Sequence, residues 1–309
     1  MIKKVLFIQP PFERTMGYRR YYTHPGLLAL AAVVEAGNHK AMVYDADYDV
    51  NALSYDADKL MNNYQKYIEI LNDINAPIWH EIRAVLEEYN PDVVCVTVLT
   101  VTQESAEMVI KIAREYNPNV LVVVGGVHPT LKPEDCLRYA DYVIVNEGEK
   151  VILDVINECV AKGIVYGKRV MDLDSLPFPA VHALYNIEKY TKRDLSMVIS
   201  TRGCPNNCAF CCSTEIWKRK VTRKSVDYFV EEMEVLNEKY GIEDFFISDD
   251  SFTYDKSWLI DFCEKIEKYK FTWRCLSRLD MINDEMLIRM KRAGCRNIKF
   301  GIESGSQRI

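Results

Sequence analysis

Short apolar runs alternate with segments of helical period along the first half of the chain. Strands are predicted at residues 5–8, 41–44, 93–99, 120–124 and 142–145. Helices are predicted at residues 25–36, 78–89, 104–116 and 150–161. Nearly continuous runs of Val, Ile and Leu between helices are typical of parallel strands that are buried on both faces. The pattern therefore predicts a doubly wound parallel sheet of the Rossmann or flavodoxin-like type.

The alternation lapses after residue 162, where turn residues surround Pro177 and Pro179, and it resumes near residue 193. Strands are then predicted at residues 197–200, 244–248, 272–276 and 297–300. Helices are predicted at residues 226–240, 256–268 and 284–293. The prediction is a first domain over 1–162, a linker over 163–192 and a second domain over 193–309.

The second domain holds four predicted strands, each followed or preceded by a helix, which is too few to close a βα barrel. We therefore expect the N-terminal part of a barrel that is truncated after its fourth strand. A complete four-stranded domain remains the alternative.

Composition and charge exclude several classes of protein. A length of 309 residues suits two domains. The net charge is −6, and no long basic run indicates binding to nucleic acid. The longest apolar stretch, residues 27–34, is too short for a membrane span. The first residues lack the cleavage site of a signal peptide, so a cytoplasmic location is expected.

Ten cysteines are unusual for such a chain, and four of them are clustered. Cys204, Cys208 and Cys211 follow the spacing CxxxCxxC, and Cys212 comes directly after them. Three thiolates can hold a [4Fe–4S] cluster and leave its fourth iron without a protein ligand, whereas four saturate it for electron transfer. A zinc site and a set of inert buried thiols are the alternatives, although no second CxxC pair supplies the further ligands that zinc prefers.

The CxxxCxxC motif, with Phe210 before its last cysteine, resembles the radical S-adenosylmethionine (SAM) superfamily over residues 193–309. The resemblance implies that the three cysteines hold a [4Fe–4S] cluster and that Phe210 lies beside SAM. It places Asp249 or Asp250 on the methionyl amine, where the family more often has Gly-Gly-Glu.

The same resemblance assigns an arginine to the methionyl carboxylate. Arg278 is preferred over Arg274, with a surface salt bridge as the alternative. Glu303 and Ser304 are implied as ribose contacts, and for Glu303 a simple helix cap is the alternative.

The first domain lacks the GxGxxG motif that brings a pyrophosphate onto a helix, so Asp45 is not expected to bind a nicotinamide cofactor. Its segments HPGLLALAAVVEAG, PDVVCVTVLT, VVVGGVHPT and NEGE, with the Pro-Pro pair after the first strand, resemble the cobalamin-binding domain of radical SAM enzymes. The resemblance covers residues 1–160 and implies six residues along the corrin and its nucleotide tail: Thr97, Thr100, Gly125, Gly126, His128 and Glu147.

The two glycines have a physical reason, because a missing side chain lets a bulky ligand approach the backbone. The DxHxxG motif that supplies an axial histidine in many cobalamin proteins is absent. For His128 a turn-stabilising role is the alternative, and Glu147 and Glu149 could instead cap the last helix of the domain.

Together these resemblances imply a cobalamin-dependent radical SAM enzyme that generates a 5′-deoxyadenosyl radical. Methyl transfer through methylcobalamin is the preferred reaction, with oxidative cyclisation or ring rearrangement as alternatives. A truncated protein that binds cobalamin or a cluster without turnover is a further alternative. The implied partners are a small-molecule substrate and an electron donor such as flavodoxin or ferredoxin.

Overall fold

A computed structural model of the chain describes residues 1–19, 21–54, 62–306 and 308. It separates into two compact units: Met1–Val170 with Leu176–Tyr190, and Met171–Ser175 with Thr191–Ile309. The predicted boundaries at residues 162 and 193 stay a prediction. Within the described ranges, no helix combines the length and apolar character that crossing a bilayer requires.

The first unit is built on a six-stranded, entirely parallel sheet. The strands of this unit are β1 (Lys4–Gln9), β2 (Tyr18–Arg19), β3 (Lys40–Asp45), β4 (Leu53–Ser54), β5 (Val93–Thr97), β6 (Leu121–Gly125), β7 (Tyr142–Val145) and β8 (Gly163–Tyr166). The sheet has the order β3-β1-β5-β6-β7-β8, while β2 and β4 form a separate short pair. The predicted doubly wound class is confirmed.

Helices cover both faces of this sheet. They do so because apolar side chains along each strand point alternately to one face and to the other. The helices are α1 (Pro25–Ala36), α2 (Tyr64–Asn72), α3 (Pro77–Tyr89), α4 (Gln103–Tyr116), α5 (Val127–Leu131), α6 (Pro133–Cys136) and α7 (Ile152–Ile156). Leu6 and Ile8 of β1 join the core beneath α3 and α4. Val5 and Phe7 are equally buried but point to the opposite face, because successive strand side chains alternate.

The strand order creates a switch point at the carboxyl edge of the sheet. The chain leaves β1 toward β3 on one side and leaves β5 toward β6 on the other side. The carboxyl ends of β1 and β5 are neighbours, so the two connections diverge there. In sheets of this class, ligands bind outside the carboxyl ends of the strands at such a point. The edge is formed by Gln9, Thr97, Gly125 and the loop after Val145.

Two local differences from the sequence pattern lie at the end of this unit. Gly163–Tyr166, assigned to the linker by its turn-rich neighbours, is the sixth strand and pairs with β7. The helix predicted at 150–161 is limited to Ile152–Ile156, because the chain turns through Glu158 at a φ of +56°. In a four-residue, half-buried edge strand the alternation of apolar and polar residues is too weak to distinguish the strand from a loop.

The second unit contains a four-stranded parallel sheet whose strands follow one another in chain order. The strands are β9 (Met197–Val198), β10 (Thr201–Arg202), β11 (Thr222–Arg223), β12 (Asp244–Ile247), β13 (Thr272–Ser277) and β14 (Cys295–Phe300). The sheet order is β9-β12-β13-β14, and β10 and β11 form an antiparallel pair. The helices are α8 (Ser213–Trp217), α9 (Val226–Tyr240), α10 (Lys256–Ile266) and α11 (Asp284–Arg292).

Side-chain caps and aromatic packing explain why the predicted helices form here. Ser225, Asp255 and Asn283 each accept a bond from a backbone N–H in the first turn of α9, α10 and α11. Within α10, the rings of Trp258 and Phe262 stack with their centroids 5.5 Å apart. This apolar layer fixes the sheet whose carboxyl edge carries the cysteines.

Candidate functional site

The cysteines lie on one loop of the second unit, residues 203–212, hereafter the cysteine loop. It leaves β10 at Gly203, whose φ of +93° is one that residues with a side chain rarely adopt. A Cβ on Gly203 would also overlap the carbonyl oxygen of Lys220. The loop ends where α8 begins at Ser213, so both of its ends are set by regular structure.

The thiols of this loop are accessible and are not paired in disulfides. Cys204 and Cys208 are half-buried, and Cys211 and Cys212 are exposed. Asn206 Nδ2 lies 3.2 Å from Cys204 Sγ, and the Cys211 N–H donates to the Cys208 carbonyl at 3.0 Å. Among the residues described, no three His, Cys, Asp or Glu side chains converge as a ready-made metal site. The donor set is soft and thiol-only, which fits an iron–sulfur cluster, whose insertion would draw the sulfurs together.

Asp249, the second residue after β12, holds the segment that leads into the cysteine loop. Its Oδ1 accepts the backbone N–H groups of Ser200 at 2.7 Å and Thr201 at 3.0 Å, and its Oδ2 accepts the Ser200 hydroxyl. The carboxyl is fully buried, and this burial raises its pKa against the opposing effect of those bonds and of Arg223. Because its oxygens are bonded within the chain, Asp249 positions the loop.

Asp250 is the exposed member of the acidic pair and holds the other end of the loop. Its Oδ2 accepts the hydroxyl of Ser213 at 2.8 Å. Two adjacent residues at one strand end therefore fix both ends of the cysteine loop. Of the two carboxylates, only that of Asp250 is open to solvent.

The structure separates the two candidate arginines. Arg274 lies within β13, and its guanidinium pairs with Asp244 at 3.2 Å, at the beginning of β12. Arg278 follows the end of β13, and its Nη1 lies 3.4 Å from Cys208 Sγ. Hydrogen bonding to Asp280 is the main cause that raises the pKa of Arg278. Only Arg278 is thus placed beside the cysteine loop.

The remaining predicted SAM residues are exposed or half-buried. The Phe210 ring is 72% exposed. Glu303 follows β14 with a φ of +60°, and its side chain folds back over Gly301. Ser304 is half-buried, and its Oγ accepts the N–H of Ser306 at 3.0 Å. Both lie at the carboxyl edge of the sheet, as do Asp250 and Arg278.

In the first unit, Gly126 is required by the chain itself. Its φ of +113° and ψ of −165° lie in a region that is almost confined to glycine. A Cβ there would lie 2.9 Å from both Thr97 Oγ1 and the Val98 carbonyl oxygen. Its missing side chain therefore makes room for the loop after β5. At Gly125 a Cβ would meet only ordinary contacts, the nearest at 3.9 Å.

Replacing Gly126 by alanine is expected to lower the free energy of unfolding by about 3 kcal/mol, because backbone strain and overlap add. Gly125→Ala is the matched control and should stay within about 1 kcal/mol of the wild type. Urea unfolding followed by circular dichroism measures both. Equal stability of the two variants would contradict the assignment.

His128 is held at the same edge by three neighbours. Its backbone N–H donates to the Val98 carbonyl at 3.0 Å, its Nδ1 lies 3.1 Å from Thr100 Oγ1, and its Nε2 lies 3.6 Å from Asp135. The ring is buried, which agrees with the turn-stabilising alternative. The loops after β5 and β6 are thereby joined.

Glu147 has a different structural role from the helix cap considered above. Its Oε2 accepts the backbone N–H of Val170 at 3.0 Å, which joins the loop after β7 to the segment after β8. The helix of the capping alternative begins only at Ile152. The side chain is buried.

Sequence reasoning missed several residues that shape these sites. Gln9 ends β1 at the switch point and is buried, and among the residues described its Oε1 has no hydrogen-bond partner. Hydrogen bonds join Asp249 to Ser200, Asp250 to Ser213 and Arg278 to Asp280. The missed residues belong to no recognised motif, so only the folded contacts identify them.

Comparison with known proteins matches one family to each unit. The B12 binding domain matches residues 17–156, and the radical SAM superfamily matches residues 198–309. The first unit therefore contains a B12 binding domain and the second a radical SAM domain. The chain belongs to the radical SAM proteins that carry an N-terminal cobalamin-binding domain, as the resemblance predicted.

Two curated relatives and one solved structure illustrate this family. An uncharacterized methyltransferase of Pyrococcus horikoshii is 34% identical, over 74% of this chain and 55% of that protein. The cytidylyl-2-hydroxyethylphosphonate methyltransferase of Streptomyces wedmorensis is 27% identical, over 99% of this chain and 66% of that protein. The methyltransferase TsrM from Kitasatospora setae, whose structure is known with cobalamin and a [4Fe–4S] cluster bound, has the same fold as this chain. The TM-score between the two is 0.67.

That structural match has 18% identity and covers 98% of this chain and 61% of TsrM. The chain thus spans between about half and two thirds of the length of these proteins.

Proposed function

We propose that the protein is a cobalamin-dependent radical SAM enzyme, most simply a methyltransferase. The observation that carries this proposal is the cysteine loop, which carries the three free thiols of the CxxxCxxC motif and is held at both ends by Asp249 and Asp250 at the carboxyl edge of a parallel sheet. The chain also carries the parallel sheet of the first unit, which has a switch point of the kind at which ligands bind in this class of sheet. Both relatives named above are methyltransferases, which favours methyl transfer over oxidative cyclisation.

Cys204, Cys208 and Cys211 are the proposed ligands of a [4Fe–4S] cluster. With three cysteine ligands, such a cluster leaves one iron for SAM and supplies the electron that cleaves it to methionine and a 5′-deoxyadenosyl radical. Cys212 adjoins Cys211 and is left free. A flavodoxin or ferredoxin is the proposed electron donor, and the reduced thiols suit a cytoplasmic location.

The residues at the sheet edge are proposed to orient SAM. The Asp250 carboxylate is exposed and faces no cation in the described contacts, so it suits an ammonium group better than Asp249 does. Glu303 and Ser304 supply oxygens suited to ribose hydroxyls, and the exposed Phe210 ring supplies an apolar surface. Arg278, the predicted partner of the methionyl carboxylate, has two of its nitrogens bound to Asp280.

In the first unit, the carboxyl edge is proposed to hold cobalamin. Thr97, Thr100, Gly125, Gly126, His128 and Glu147 are the proposed cobalamin residues. The Oε1 of Gln9 at the switch point is buried and has no partner within the described part of the chain, which is consistent with a polar ligand there. Cobalamin would supply a methyl group for transfer to a small-molecule substrate.

Anaerobic reconstitution with iron, sulfide and hydroxocobalamin tests this function. We expect one corrin per chain by visible absorbance and, after reduction with dithionite, conversion of SAM to 5′-deoxyadenosine. The control is the Cys208→Ser chain, which should form none above background. Binding of both cofactors without 5′-deoxyadenosine would support the non-catalytic alternative, and absence of a corrin would contradict the cobalamin assignment.

A further inference from the structure

The backbone around Arg278 is fixed by buried contacts on β13. Ser277, the last residue of the strand, is buried, and its hydroxyl is hydrogen-bonded to that of Thr253. The Ser277 hydroxyl also donates to the Arg278 carbonyl at 3.2 Å. The position from which the arginine side chain leaves the sheet is therefore well determined.

Asp280 then orients the guanidinium. Arg278 Nε donates to Asp280 Oδ1 at 2.9 Å, and Nη2 donates to Oδ2 at 2.7 Å. Paired bonds of this kind hold a planar guanidinium in one orientation. They occupy one edge of the group and direct the remaining nitrogen, Nη1, away from Asp280.

Nη1 of Arg278 donates to the sulfur of Cys208 at 3.4 Å. A second donor, Asn206 Nδ2, lies 3.2 Å from the sulfur of Cys204. Two of the three motif cysteines thus have an N–H donor on their sulfur, one of them cationic. Hydrogen bonds and charge at cysteine sulfurs are among the factors that set the reduction potential of an iron–sulfur cluster.

We propose that Arg278, oriented by Asp280, is a positioning residue that raises the reduction potential of the cluster by donating to Cys208 Sγ. The inference rests on the proposed function, because it requires a cluster on the cysteine loop. Reduction adds one electron from the external donor and makes the cluster more negative. A cationic donor on a ligand sulfur stabilises that reduced state more than the oxidised one.

A redox titration of the reconstituted protein in the absence of SAM tests this role, with electron paramagnetic resonance as the readout. At the wild-type midpoint potential, Arg278→Gln should lower the ratio of reduced to oxidised cluster about tenfold, a shift of about 59 mV for one electron. Asp280→Glu keeps both charges but displaces the paired oxygens, so a smaller shift in the same direction is expected. Arg278→Lys should recover part of the potential.

Arg274→Gln is the matched control, because Arg274 pairs with Asp244 and should leave the midpoint unchanged. An intact cluster with the wild-type midpoint in Arg278→Gln would overturn the inference. Weaker SAM binding with an unmoved midpoint would overturn it too, in favour of the carboxylate role. If Arg278→Gln assembles no cluster, the midpoints of Arg278→Lys and Asp280→Glu decide. A wild-type chain that binds no cluster would instead refute the proposed function.

Discussion

Replacement of Cys208 by serine is expected to reduce the iron and acid-labile sulfide of the reconstituted protein about tenfold, because a three-cysteine cluster has no spare protein ligand. Cys208 is half-buried between Cys204 and Cys211 on the loop, and Arg278 lies against its sulfur. The loss should appear as the disappearance of charge-transfer absorbance. Circular dichroism should stay unchanged, since the sulfur fills no part of the core.

Cys212→Ser is the matched control for this prediction. Cys212 is exposed, adjacent to a motif cysteine, and chemically identical to it. We expect the full wild-type content of iron and sulfide in this variant. Equal losses in both variants would show that Cys212 is a ligand, and a retained cluster in Cys208→Ser would contradict the assignment of the CxxxCxxC motif.

Replacement of Asp249 by alanine is expected to cost about 3 kcal/mol of stability, because two backbone N–H groups and the Ser200 hydroxyl would lose their buried acceptor. The cysteine loop would lose its attachment to β12, so cluster content should fall as well. Chemical unfolding and iron analysis measure the two effects. Asp250→Ala removes a single, part-buried hydrogen bond of an exposed carboxylate and should leave stability within about 1 kcal/mol. An unchanged unfolding midpoint in Asp249→Ala would contradict this role.

The buried Asp249 also predicts a dependence of stability on pH. Burial raises its pKa above the usual value of 3.8, so between that value and its raised pKa the folded state binds more protons than the unfolded state. Its contribution to stability therefore decreases as pH rises through this window. Asp249→Asn keeps the shape and an acceptor oxygen without the charge. We expect the stability of this variant relative to wild type to increase with pH over the same window, as measured by urea unfolding.

The sequence was sufficient for the fold class because the strands of the first unit are buried on both faces. Val93–Thr97, for example, is a continuous apolar run that ends in threonine, and its carboxyl end is where the predicted ligand residues begin. Helix Val226–Tyr240 has the predicted bounds because capping residues mark both of its ends, Ser225 before it and Gly241 after it. Edge strand β8 was missed because partial burial leaves little periodicity.

At the sites, motifs located residues but did not determine their roles. Asp249 and Asp250 are chemically identical in the sequence, and only burial and hydrogen bonding separate the one that holds the loop from the one that faces solvent. The contacts of Gly126 show the same limitation, since a glycine pair cannot reveal whether its space is taken by a ligand or by the neighbouring loop. Such distinctions depend on long-range packing.

The attachment of the cysteine loop to Asp249 and Asp250 bears on how a cluster would be assembled. Closing a flexible segment of this length costs about 2 kcal/mol of chain entropy. Because the two aspartates after β12 hold its ends in the folded apoprotein, that entropy is already lost before iron binds. The apoprotein thus presents its thiols to incoming iron and sulfide on a tethered segment. Cluster maturation then needs only to draw the thiols together within the ten residues between the two fixed ends.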